Sequence, residues 1–248
     1  PAPVVSWEGG RPAKESGPSC MQPEGLGGEM YGNYGVQMDE DCLTLNVWTR
    51  AETEQERLPV MVWIHGGALV TGSGAEYPGE LLTSKGVVLV TVNYRLGRFG
   101  FLAHPELTEE NGGGASGNQG LRDQIASLHW VQENIGRFGG DPGNVTIFGE
   151  SAGSLSVSLL QASPLARGLF HKVIGESGGA FQPMSYRDKA KPYSPMYGEA
   201  IGEKLGEALS QSRQTITLEE MRGFSQEEVM AAIDSDPIFS DYNHLAIV

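Results

Sequence analysis

Polar and apolar positions follow two different periods along this chain. Short runs of β-branched and aromatic residues, bounded by glycine, proline or charged clusters, read as strands. Thr44 to Trp48 and Pro59 to His65 read as adjacent strands. Val87-Val88-Leu89-Val90-Thr91-Val92 is a third, apolar enough to be buried on both faces. Val145-Thr146-Ile147-Phe148 and Lys172-Val173-Ile174-Gly175-Glu176 are two more. Elsewhere the period is helical. Leu121, Ile125, Leu128, Val131, Ile135 and Phe138 fall on one stripe that stops at Gly139-Gly140. Ala152 to about Gln161, built of Ala, Ser, Leu and Val, reads as a helix. Residues 183–195 are rich in Pro, Tyr and Lys and read as a loop, followed by amphipathic helices near 196–210 and 217–233. Strands alternating with helices predict an α/β fold with a doubly wound, mostly parallel sheet and helices on both faces.

Two glycine-rich junctions carry candidate chemistry. The first is Gly149-Glu150-Ser151-Ala152-Gly153, a G-x-S-x-G pattern between a predicted strand and a predicted helix. A sharp strand-to-helix turn is crowded and strained, and Gly149 and Gly153 are the small neighbours it needs. Such a turn presents the Ser hydroxyl at a helix N-terminus, where the dipole favours developing negative charge. The second junction is the run Val60-Met61-Val62-Trp63-Ile64, which leads into His65-Gly66-Gly67-Ala68. Acyl transfer generates an oxyanion, and backbone N–H groups converging on one point stabilise it. Side chains would block that approach, so Gly and Ala are the residues that fit.

With these residues in place, the chain resembles the type B carboxylesterase and cholinesterase-like family. Three blocks carry the resemblance. The first is Glu40-Asp41-Cys42-Leu43-Thr44-Leu45-Asn46-Val47-Trp48. The second is Trp63-Ile64-His65-Gly66-Gly67-Ala68 together with Asn93-Tyr94-Arg95-Leu96-Gly97 and Phe99-Gly100-Phe101-Leu102. The third runs from Phe138-Gly139-Gly140-Asp141-Pro142 through Asn144-Val145-Thr146 to Gly149-Glu150-Ser151-Ala152-Gly153. The resemblance as a whole extends from about Cys20 to Gly179, with weaker echoes to Ala232.

The resemblance implies an α/β-hydrolase fold that is incomplete in this chain. Residues 1–182 would form the N-terminal part of the catalytic domain, and 183–248 a mainly helical lid or gorge-wall segment of the same domain. It makes Ser151 the nucleophile, and Gly67, Ala68 and Ala152 the oxyanion-hole donors. Glu150 and Ser177 become supporting residues, Ser177 helping to hold the acidic member of a triad. Tyr31 and Leu69 are candidates for the substrate pocket, Tyr31 standing where cholinesterases carry a choline-binding Trp. Ala68 departs from the family, where Gly is commoner; a methyl there leaves the N–H intact. The resemblance also implies a Cys20–Cys42 disulfide, two free buried thiols being the other reading.

A serine hydrolase of this fold needs its acid and its His after the nucleophile. His65, His104 and His129 precede Ser151, and His171 comes before the next strand. His244, with Asp234, Asp236 or Asp241, would make a compact triad. The alternative, which the resemblance favours, is that the acid and His lie beyond residue 248 and that this is the N-terminal piece of a larger chain.

Composition narrows the classes. The net charge of −14 argues against nucleic-acid binding. The apolar runs are too short for a membrane span. The 35 glycines in 248 residues, roughly twice ordinary usage, suit many tight strand–helix turns. Neither cysteine spacing nor histidine placement suggests a metal site, and the chemistry needs no cofactor. The expected partners are small-molecule carboxylic esters, with a choline-ester preference and a non-catalytic adhesion protein as alternatives. The expected disulfide points to a secreted or periplasmic protein, a cytoplasmic one being the other possibility.

Overall fold

A computed structural model describes residues 8–9, 12–23, 37–112, 114, 116–180, 198–210 and 214–239. Five strands form one sheet: β1 (Leu45–Trp48), β2 (Leu58–Ile64), β3 (Val88–Val92), β4 (Gly140–Glu150) and β5 (Lys172–Glu176). Their order is β1-β3-β2-β4-β5. The pairs β3–β2, β2–β4 and β4–β5 are parallel, and β1 runs antiparallel to β3. The mostly parallel sheet is as predicted, with one correction. β1 and β2 are not neighbours, because β3 lies between them. Every residue of β3 is buried, and a strand so apolar is satisfied only inside the sheet, with a partner on each edge.

The main core forms on one face of the sheet. Val60, Val62, Ile64, Val145 and Ile147 point there and are at most 1% exposed. Two helices cover them, α1 (Gln119–Asn134) and α2 (Ala152–Ala162), through Leu128, Val131, Val157 and Leu160. The helical stripe holds through Ile135. Beyond Asn134 the chain tightens into a 3₁₀ turn, Ile135–Phe138, which carries Phe138 out of phase. It is 38% exposed and leans on Trp130 with 5.9 Å between ring centroids.

The C-terminal helices make a second, smaller core. The helix predicted near 196–210 is α3 (Gly198–Leu209). The one predicted over 217–233 is two, α4 (Leu218–Met221) and α5 (Gln226–Asp234). Two complete capping boxes, Thr217 with Glu220 and Ser225 with Glu228, each start a helix, so the chain breaks between them. Ile201, Leu205, Met221, Ile233 and Phe239 form this core, with Phe99 and Leu102 packed against it. The buried Arg98 guanidinium joins the two cores by donating to the carbonyls of Phe239 (2.8 Å) and Ile238 (2.9 Å). The predicted loop at 183–195 lies outside the described residues. Among the described residues no helix is long and apolar enough to cross a membrane.

Candidate active site

The strand β4 ends at Glu150, α2 begins at Ala152, and Ser151 alone makes the turn. Its backbone sits at φ 54° and ψ −116°, a region side-chain-bearing residues rarely occupy. Close packing holds it there. A Cβ on Gly153 would lie 2.0 Å from the carbonyl oxygen of Ile64, and one on Gly149 would lie 2.6 Å from the same atom. Only glycine lets the first turn of α2 come so near β2. The Ser151 N–H donates to the Glu176 carbonyl (2.8 Å), and the Ser151 carbonyl accepts from Leu155 N–H (3.0 Å). The turn is thus tied to the end of β5 and to its own helix.

The loop after β2 faces this turn. A Cβ on Gly66 would lie 3.4 Å from Cβ of Ser151 and 2.9 Å from the Glu150 carbonyl oxygen, so the loop backbone rests directly against the serine. Gly67, Ala68 and Leu69 all have positive φ, at 95°, 57° and 62°. The Gly67 carbonyl accepts from the N–H groups of Val70 and Thr71, both at 2.9 Å. That engages the carbonyl within the loop itself. Among the described residues, the N–H groups of Gly67, Ala68 and Ala152 donate to no protein acceptor. Ala152 is the first helical residue, whose N–H has no intrahelical partner.

The predicted supporting residues take distinct positions. The Glu150 carboxylate lies against Gly66, with Oε2 3.1 Å from where a Cβ of Gly66 would be. Ser177 is exposed, follows β5 and has φ 56°. The buried Ser154 hydroxyl donates to the Gly178 carbonyl (2.8 Å), fastening that turn to α2. Leu69 is 1% exposed, its side chain in the main core and its carbonyl accepting from Gly97 N–H (2.7 Å). Cys20 and Cys42 form a disulfide. Tyr31, Asp241 and His244 lie outside the described residues. Of the other acids weighed beside His244, Asp234 is exposed on α5 and Asp236 pairs with Lys204. Lys204 and the Ile238 N–H hold the Asp236 carboxyl below the usual range.

Among the described residues, no histidine hydrogen-bonds to the Ser151 hydroxyl. His65 is buried and stacked on Tyr94, with 4.4 Å between centroids, and its Nδ1–H donates to the Gly66 carbonyl (2.8 Å). Burial pushes its pKa down to about 4, the contact with Gly66 opposing only part of this. His104 Nδ1 accepts from Glu106 N–H at a helix start. His129 is exposed on α1. His171 Nδ1 accepts from Val145 N–H, midway along β4 and six residues before Ser151.

Sequence reasoning missed the residues that hold the loop. Tyr94 is fully buried and donates through its hydroxyl to the His65 carbonyl (2.8 Å). Burial, with the neighbouring Tyr77 adding to it, raises the pKa of that hydroxyl, so it remains a donor. The Asn93 amide accepts from Gly74 N–H (2.8 Å) and donates to the carbonyls of Pro18 (3.0 Å) and Cys42 (3.1 Å). The sequence signals were their place directly after β3 and their membership of the Asn93–Gly97 block, neither of which says what they bond to.

A family model described as "Carboxylesterase family" matches residues 1–246. The chain is 43% identical over 215 residues to a Fumonisin B1 esterase of Sphingopyxis macrogoltabida, covering 86% of this chain and 38% of that protein. It is 44% identical over 214 residues to Carboxylesterase 1D of Rattus norvegicus, covering 82% and 37%. Its fold superposes on the Geobacillus stearothermophilus carboxylesterase EST55 with a TM-score of 0.75 and 35% identity, covering 93% of this chain and 44% of that one. A thermophilic PNB esterase gives 0.72 at 39% identity, covering 88% and 42%. The chain therefore spans less than half the length of each of these proteins.

Proposed function

The chain belongs to the carboxylesterase family, and from that premise we propose that it carries the nucleophile and oxyanion hole of a serine carboxylic-ester hydrolase. One observation carries this reading. The strained Ser151 turn lies against Gly66, at the start of the Gly66-Gly67-Ala68 loop, and the N–H groups of Gly67, Ala68 and Ala152 are without an acceptor among the described residues.

The mechanism follows from that arrangement. Ser151 Oγ attacks the ester carbonyl while a histidine takes its proton. The carbonyl oxygen becomes an oxyanion held by the N–H groups of Gly67, Ala68 and Ala152. The alcohol leaves with the proton, and water then hydrolyses the acyl-enzyme. The histidine comes from outside the described residues: His65, His104 and His129 precede the nucleophile in the chain, and His171 is bonded to Val145 midway along β4. Ser177 and Ser154 shape the turn after β5, next to the nucleophile. The substrates are small carboxylic esters. The Cys20–Cys42 bridge supports a secreted or periplasmic setting, where such bonds persist.

The test is fluorophosphonate labelling beside p-nitrophenyl acetate turnover, in the natural full-length protein and in Ser151→Ala. We expect labelling at Ser151 alone, and a loss of about 10⁵–10⁶-fold in turnover in the variant with its melting temperature little changed. Turnover retained by Ser151→Ala would overturn the reading.

A further inference from the structure

We propose that Gln22 is a positioning residue for the oxyanion hole, and that it couples the hole to the Cys20–Cys42 disulfide. The proposal rests on the serine-hydrolase reading above. Gln22 lies fifty positions before Gly72, where the loop after β2 ends. Its side-chain amide pairs with the Gly72 backbone as one strand residue pairs with another. The Gly72 N–H donates to Oε1 (2.8 Å), and Nε2 donates to the Gly72 carbonyl (3.1 Å). The second Nε2 hydrogen goes to the Cys20 carbonyl (3.0 Å). Both amide hydrogens are therefore used, in a side chain only 9% exposed.

Gly72 is where this pairing reaches the chemistry. Its φ is 112°, and a Cβ there would lie 2.5 Å from His65 Nδ1 and 3.1 Å from the Gly66 carbonyl oxygen. The end of the loop thus packs against its beginning, beside the residues that face Ser151. Between those ends stand Gly67, Ala68 and Leu69, all at positive φ. A backbone so bent keeps its shape only if its ends are fixed. Tyr94 fixes the first end through the His65 carbonyl, and Gly97 holds the middle through Leu69. Gln22 fixes the far end. Its own place is set by the bridge two residues earlier, and Asn93 ties Pro18 and Cys42 to Gly74 beside it. A displaced Gly72 would let the Ala68 N–H drift from the oxyanion, and a misplacement of about 1 Å costs about 100-fold in rate.

The experiment uses the natural full-length protein with Gln22→Ala and Gln22→Glu. The glutamate keeps an acceptor for the Gly72 N–H but cannot donate to either carbonyl. Active sites are counted by fluorophosphonate titration. For each variant, kcat and KM on p-nitrophenyl acetate, the melting temperature, and the inhibition constant of a trifluoromethyl ketone, which binds as a tetrahedral adduct, are then measured. We expect kcat per titrated site to fall about 10–100-fold, KM to stay within about threefold, and the ketone to weaken in step with kcat. Reducing the disulfide in the wild type should move the same two quantities in the same direction. Unchanged kcat per titrated site, or a fall in kcat with ketone binding intact, would overturn the proposal. So would failure of both variants to fold, which would make Gln22 structural only. Absence of labelling at Ser151 in the wild type would instead sink the serine-hydrolase reading itself.

Discussion

The Ser151 turn and the loop after β2 face each other, and both hold side-chain-bearing residues at positive φ. They are kept in shape differently. The turn is locked by close packing against regular structure, with Ile64 on β2 and Glu176 on β5 as its contacts. Gly149 and Gly153 allow contact with Ile64, and the first turn of α2 takes up the Ser151 carbonyl. The loop has no such lock beyond the Gly67 carbonyl. Its shape depends on Gln22 from one other stretch of the chain and on Tyr94 and Gly97 from a second. Strain next to a stiff strand and helix is confined by close contact. Strain in an irregular segment needs remote tethers, each worth a hydrogen bond or two.

The sharpest way to break the comparison is Gly153→Ala. The new methyl would sit 2.0 Å from a backbone carbonyl oxygen, and backbone cannot rotate aside as a side chain can. We expect a loss of about 3 kcal/mol or more in a denaturant titration, together with loss of ester turnover. Wild-type stability in this variant would show that the turn is not locked by its packing against β2.

Acid should act on the loop instead. His65 ionises at about 6.5 when exposed and at about 4 when folded. Between these values the unfolded chain binds the extra proton, so its contribution is intact above 6.5 and is lost as pH falls toward 4. The full loss is on the order of 3 kcal/mol. Melting curves between about pH 7 and about pH 5 should slope less for His65→Asn than for the wild type. Equal slopes would place the acid sensitivity elsewhere.

The mildest change is Ala68→Gly. Ala68 has φ 57°, which costs a side-chain-bearing residue about 1–2 kcal/mol, but glycine adds unfolded-state entropy in return. We expect stability within about 1 kcal/mol and turnover within about threefold. A larger change in turnover would mean that the methyl itself shapes the acyl pocket. Proline at the same place is a poor probe of the N–H, because its ring fixes φ near −65° and would break the loop outright.

Legibility in the sequence followed the range of the interactions involved. β5 coincides with its predicted span, and α2 begins at Ala152 as expected. These elements are set by local periodicity and small residues. Phe138 was misjudged because a 3₁₀ turn altered the phase of its stripe. The break between α4 and α5 was there to be read, in Thr217-x-x-Glu220 and Ser225-x-x-Glu228, but an amphipathic pattern running through both obscured it.

The sequence by itself determined the strand-turn-helix around Ser151, the glycines that permit it, and the Gly-Gly-Ala run that can supply bare N–H groups. Such features are marked by short-range periodicity and by the absence of side chains, and both are written locally, although the contacts that hold the turn reach Ile64 and Glu176. Only the tertiary structure decided that β3 separates β1 from β2 and that Gln22 clasps Gly72 across fifty residues. It also decided what the buried His65, already excluded as a base by chain order, does instead: it stacks on Tyr94 and bonds to Gly66 within its own loop. The physical reason is that one amide or one imidazole finds its partner only after the sheet has closed, and no period in the chain records which partner that will be.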